Sequence, residues 1–85
     1  MLDCIRFTAK QIELLDIIKR GNPDKSPVSV YDILDRISYT AKRDAILHSI
    51  RILVENGFVE RRDLVKREGK AVRVFVITTK GFAVV

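Results

Sequence analysis

The chain has 85 residues, 47% hydrophobic and 32% charged, with a net charge of +5. That apolar content excludes a disordered polyelectrolyte, and the length suits one small domain over residues 1–85 with a modest core. A single cysteine, Cys4, excludes an internal disulfide, and no apolar run approaches the length of a membrane span.

Residues 1–7 mix apolar and charged side chains and fit a strand or a fraying helical turn. Thr8-Ala9-Lys10-Gln11 has the capping-box spacing, so a first helix is predicted from Ala9 to Arg20. Leu14, Leu15, Ile17 and Ile18 fall on one face of it, and Gly21 stops it. Gly21-Asn22-Pro23-Asp24-Lys25-Ser26-Pro27 reads as a loop, after which Val28 can add a one- or two-residue strand. Ser29, with Asp32 three positions on, caps a short second helix, and Val30, Ile33, Leu34 and Ile37 form its apolar stripe.

Ser38-Tyr39 is predicted to be a tight break, with Thr40 capping a third helix that ends at Asn56-Gly57. In that helix Ile46, Ile50 and Leu53 face inward, with Leu47 and Val54 at the margins. Two strands follow, over residues 58–65 and 71–77, joined by the turn Lys66-Arg67-Glu68-Gly69-Lys70.

The charge is segregated along this order. Residues 1–39 hold 6 Lys/Arg and 6 Asp/Glu, whereas residues 40–85 hold 10 and 5, so the second half carries the whole excess. A cationic half of this kind points to an anionic partner, nucleic acid or an acidic membrane surface. No helix shows a basic face opposite a broad aromatic one, which sets the membrane aside. A lone thiol suits a reducing compartment, the cytoplasm. Cys4 serves either as a small apolar side chain or as a cross-link to a second copy.

Helix, break, helix, hairpin resembles a winged helix-turn-helix domain. Ile50 and Leu53 precede Gly57 as two core aliphatics precede the glycine ending a recognition helix. Phe58-Val59-Glu60-Arg61 resembles the entry to the first wing strand. Phe75-Val76-Ile77-Thr78-Thr79-Lys80-Gly81 resembles the return strand and the Thr-x-Lys-Gly ending of MarR-like and PadR-like regulators. The likeness spans residues 8–81. Those regulators continue into a long dimerisation helix, whereas here Phe82-Ala83-Val84-Val85 follow, closer to minimal winged-helix proteins of archaea and their viruses. The resemblance implies an α+β fold of three helices and a two-stranded wing. It also implies a sequence-specific regulator of double-stranded DNA, located in the cytoplasm with the nucleoid, or in host cytoplasm if viral. A winged-helix protein-interaction module of transcription or replication machinery is the other implied role.

In such a domain the second helix of the motif enters the major groove. Tyr39, Thr40, Lys42 and Arg43 then stand at its start, with Asp44, His48 and Arg51 on its outward side. Thr40 suits both N-capping and a phosphate contact. Lys42 and Arg43 suit phosphate or guanine. Asp44 suits either cytosine N4 or solvent. His48 suits a base, a phosphate or plain exposure. Arg61, Arg62, Lys66, Arg67, Lys70 and Arg73 supply the wing's cations. Of these, Lys66, Arg67 and Lys70 flank the tip and suit a phosphate or the minor groove. Tyr31 and Tyr39 can each reach a phosphate or pack on a neighbouring helix, and Tyr39 in the break is the better placed.

One histidine and one distant cysteine form no closed zinc site within a chain, and the sequence has neither a phosphate-binding glycine loop nor a nucleophile-base-acid set. Neither metal, cofactor, small-molecule ligand nor enzyme activity is therefore expected. Ile12, Ile52, Leu2, Ile5, Phe7, Phe82, Val84 and Val85 exceed what the inward faces need, and the last strand sends Val74 and Val76 to one face and Phe75 and Ile77 to the other. Either the terminal segments fold over the domain, or two copies pair; a symmetric homodimer through residues 1–7, the first helix and the end of the C-terminal strand, with residues 82–85 contributing, is the favoured cover for this surplus.

Overall fold

A computed structural model describes residues 7–67 and 69–85, with the side chains of Asp63, Val65, Arg67 and Lys70 left aside. The elements run α1 (Ala9–Arg20), β1 (Val28–Ser29), α2 (Val30–Arg36), α3 (Arg43–Glu55), β2 (Val59–Arg67), β3 (Lys70–Ile77) and α4 (Thr79–Phe82). The strands form one antiparallel sheet in the order β1-β3-β2.

Local chemistry sets most boundaries. The Thr8 hydroxyl accepts from the Gln11 amide at 3.1 Å while the Gln11 side chain accepts from the Thr8 amide at 3.0 Å. Two of the otherwise unpaired donors at the start of α1 are thereby satisfied. Ser29 and Asp32 make the same reciprocal pair at α2. At the far end of α3 the chain closes in a Schellman motif. The Phe58 amide donates to the Leu53 carbonyl at 2.9 Å and the Gly57 amide to Val54 at 3.0 Å, with Gly57 at φ 82°. Leu53 and Phe58 are both buried, the apolar contact that accompanies this cap.

The core lies between the helices and the sheet. Leu14, Leu15, Ile17 and Ile18 of α1 meet Ile33 of α2, Ile46, Ile50 and Leu53 of α3, and Val28, Val59 and Phe75 of the sheet. Leu47 and Val54 pack at its margin, as periodicity predicts. Phe75 and Ile77 join this core, and Val74 on the opposite face is buried as well.

The structure corrects the start of α3, the extent of the break and the far ends of the wing strands. α3 starts at Arg43 with Lys42 as its cap, not at Thr40, and Lys42 makes no side-chain capping bond. Tyr39 and Ala41 turn inward onto the core, which keeps this stretch out of the helix. The break is accordingly residues 37–42 rather than Ser38-Tyr39 alone. β2 and β3 reach Arg67 and Lys70, so the wing is longer than residues 58–65 and 71–77. The short strand expected at Val28 forms: Val28 and Ser29 pair with Phe75 and Val74, giving the sheet a third strand. After Ile77, where the strand is expected to end, the chain turns into α4, because Thr78 caps a helical turn and accepts from the Gly81 amide at 3.1 Å.

The dimer segment proposed for residues 1–7 lies, except for Phe7, outside the described residues, as does Cys4. Phe7 packs edge-on against Phe58 with ring centroids 4.9 Å apart.

Candidate nucleic-acid interface

α3 and the hairpin converge on one concavity. A groove of about 450 Å³ runs between them, lined by Val30 and Tyr31 of α2, by Arg43, Leu47, Ile50 and Arg51 of α3, and by Arg61, Ala71, Val72, Arg73 and Phe75 of the sheet. Its floor is aliphatic and aromatic. Its charged groups are four guanidiniums from three elements.

Helical spacing puts Arg43 and Arg51 on the groove side of α3. They are eight positions apart, hence roughly 12 Å along the axis. On the sheet, Arg61 stands opposite Phe75, and Arg73 lies two residues from Phe75 on the same face. The register then shifts. Leu64 pairs with Arg73, so two residues of β2, Arg62 and Asp63, stand against Val74 alone. Such a bulge resets strand alternation and bends the strand. Leu64 and Lys66, paired with Arg73 and Ala71, consequently share the face of Arg61. Both are exposed.

The guanidiniums are not committed to carboxylates among the described residues. Among the described residues two ion pairs form, Arg20–Asp16 at 3.0 Å and Arg62–Glu60 at 2.9 Å, and neither engages Arg43, Arg51, Arg61 or Arg73. Arg43 donates to the Tyr31 hydroxyl at 3.1 Å. That bond, with the nearby Asp44 charge as a lesser cause, raises the Arg43 pKa. Beside it, α3 opens without a side-chain capping bond, and a helix start is where an anion is favoured.

The sequence-predicted residues separate by location. Arg43, Arg51 and Arg73 line the groove. Lys42, Asp44 and His48 are exposed on the first two turns of α3, and Thr40 is exposed in the segment before it. Lys66 lies further along the hairpin, and Arg62 is tied to Glu60. The side chains of Arg67 and Lys70 fall outside the described residues, although their backbones pair at the end of the ladder. Tyr39 sits on the core side beneath the Lys10 ammonium, 5.0 Å from the ring centroid. Burial, followed by the Glu13 charge, pushes its pKa up.

Two groove residues stand behind others in the sequence reading and are not singled out there as site residues. Arg61 was counted among the wing cations only, and Tyr31 was ranked behind Tyr39. Strand alternation from Val59 places Arg61 on the inward-facing row and could have found it. For Tyr31 no sequence signal exists, since its place depends on how α2 meets the start of α3.

Among the described residues no helix is long and apolar enough to cross a membrane, and no group of three or more His, Cys, Asp or Glu is placed to hold a metal ion.

Helix, short connection, helix and a three-stranded sheet with a projecting hairpin define a winged helix-turn-helix fold. Neither a family model nor a curated protein matches the chain. Among solved structures it is similar to Bacillus subtilis PadR in complex with operator DNA, with a TM-score of 0.69 and 18% identity, over 88% of this chain and 43% of that chain. The likeness is one of fold, and this chain spans less than half the length of that one.

Proposed function

We propose that the chain is a sequence-specific, double-stranded DNA-binding transcriptional regulator. The single observation that carries this reading is the groove in which α3 and the hairpin present four guanidiniums without carboxylate partners among the described residues. A duplex laid across it brings a phosphate strand to Arg43, Arg51, Arg61 and Arg73, and directs Asp44, His48 and the exposed start of α3 toward base edges. Lys66, with Arg67 and Lys70 at the tip, extends the cationic track along the adjacent backbone or minor groove. Thr40 and Lys42 sit at the phosphate flank of the same helix. The winged-helix likeness to a regulator solved on operator DNA supports the reading.

A homodimer completes the proposal. Ile12 is 43%, Phe82 54% and Val84 37% exposed, more apolar surface than the core requires. Pairing through this side of the molecule would set two copies of α3 about 34 Å apart on an inverted repeat.

The test is titration of the purified chain into random and source-genome duplexes at several salt concentrations, with the mass of each complex measured. Salt-dependent binding with preferred sequences, at two chains per site, is expected. Stable binding to a protein with no duplex binding at any salt would instead favour an interaction module.

A further inference from the structure

The Thr78-Thr79-Lys80-Gly81 segment closes the far end of the groove's framework. α3 has no basic residue in its last turn, so nothing of its own opposes the negative carboxyl end of the helix. Lys80 does so from 24 positions away: its ammonium group donates to the Asn56 carbonyl at 2.9 Å. The same group lies 4.7 Å from the Phe58 ring centroid. Next to it the Thr78 hydroxyl donates to the Gly57 carbonyl at 2.6 Å, and the Thr78 amide donates to the Phe58 carbonyl at 3.1 Å. Gly81 fits because it lacks a side chain: a Cβ there would stand 2.2 Å from the Phe58 carbonyl oxygen and 2.8 Å from Ile77 Cγ1. One four-residue segment thus touches the end of α3, the entry to β2 and the exit of β3.

We propose that Lys80 is a positioning residue that holds the carboxyl end of α3 against the base of the hairpin and so sets the width of the four-arginine groove. Asn56, where it acts, lies roughly 20 Å along the helix from Arg43. Lys80 is not among the groove's lining residues and its ammonium is engaged by the Asn56 carbonyl, so its part here is structural, although it adds to the cationic half of the chain. The consequence for DNA rests on the function proposed above. The consequence for the helix end does not.

The experiment compares wild type, Lys80→Met and Lys80→Arg in two arms. In the first, amide hydrogen exchange at Gly57 and Phe58, whose N–H groups close the Schellman motif, should quicken roughly tenfold in Lys80→Met and recover toward wild type in Lys80→Arg. In the second, Lys80→Met should weaken the preferred duplex roughly three- to tenfold with an unchanged salt slope. Unaltered exchange at Gly57 and Phe58 overturns the lock. Faster exchange with unchanged duplex affinity overturns the positioning role. A slope reduced by about 0.9 makes Lys80 a direct phosphate ligand instead. Should wild type bind no duplex, the functional reading falls while the exchange arm still judges the lock.

Discussion

Replacing Arg61 and Arg73 together by glutamine removes two of the four guanidiniums in the groove while leaving α3 untouched. Both side chains are exposed, and neither takes part in the two ion pairs formed among the described residues. Removing their charge should therefore leave folding intact and act on the duplex alone. Each phosphate neutralised contributes about 0.9 to the slope of log affinity against log salt, so the double variant should flatten that slope by about 1.8. Between 50 and 200 mM salt the logarithm of concentration rises by ~0.6, so wild type should lose roughly tenfold more affinity than the variant over that interval. Fluorescence anisotropy with one labelled duplex at four salt concentrations measures this directly. Arg20→Gln is the control, because Arg20 sits at the end of α1 bound to Asp16 at 3.0 Å, away from the groove. A slope unchanged in the double variant, or reduced equally in Arg20→Gln, would refute the assignment of the groove to the phosphate backbone.

Three further outcomes follow from the packing. Ile33 is fully buried where α2 meets the core, so Ile33→Ala should destabilise by about 2–5 kcal/mol in denaturant unfolding, and a loss under 1 kcal/mol would contradict its place there. Gly57 lies at φ 82°, and a Cβ there would make only ordinary van der Waals contact, its nearest neighbour being Lys80 Cδ at 3.8 Å. Gly57→Ala should then cost only the backbone penalty, about 1–2 kcal/mol, whereas Gly81→Ala, which meets backbone at 2.2 Å, should cost more. Glu13 has its pKa lowered, first by the Ser38 hydroxyl bonded at 2.6 Å and then by the Ser38 amide. A depressed carboxylate stabilises above its unfolded pKa and loses that contribution as pH falls through the folded one. Glu13→Gln should thus melt earlier than wild type at neutral pH, with the gap closing below the ordinary glutamate range. A gap independent of pH would contradict this.

Elements governed by local chemistry were legible in the sequence, and those set by tertiary contact were not. The caps at Thr8 and Ser29, the stop at Gly57 and the inward faces of α1 and α3 each depend on residues within one or two turns, so spacing alone reveals them. Thr40 has the chemistry of a cap, yet Tyr39 and Ala41 bury themselves on the core and delay α3 to Arg43, a preference invisible to local propensity. Val28 was readable only as a fragment, since its strand exists by pairing with Phe75, a partner 47 positions on. The bulge at Arg62–Asp63 carries no glycine or proline to announce it, and through it Leu64 and Lys66 come to share the face of Arg61.

The candidate site divides the same way. That charge collects in the second half is a property of composition, and Arg43, Arg51 and Arg73 were within reach of helical and strand periodicity. Tyr31 entered the groove only through its bond to Arg43 across the helix-turn-helix. Lys80 was legible as part of a Thr-x-Lys-Gly ending but not as the group that caps α3, because that role needs the two ends of the hairpin brought side by side.

The central claim is that α3 and the hairpin act as one surface upon a duplex. Mapping backbone amide shifts of isotopically labelled protein during titration with its preferred duplex tests it most directly. Changes concentrated at residues 42–51 and along the hairpin from Arg61 to Arg73 are the predicted result. Changes confined to α1 and α4, with the arginine groove silent, would contradict it.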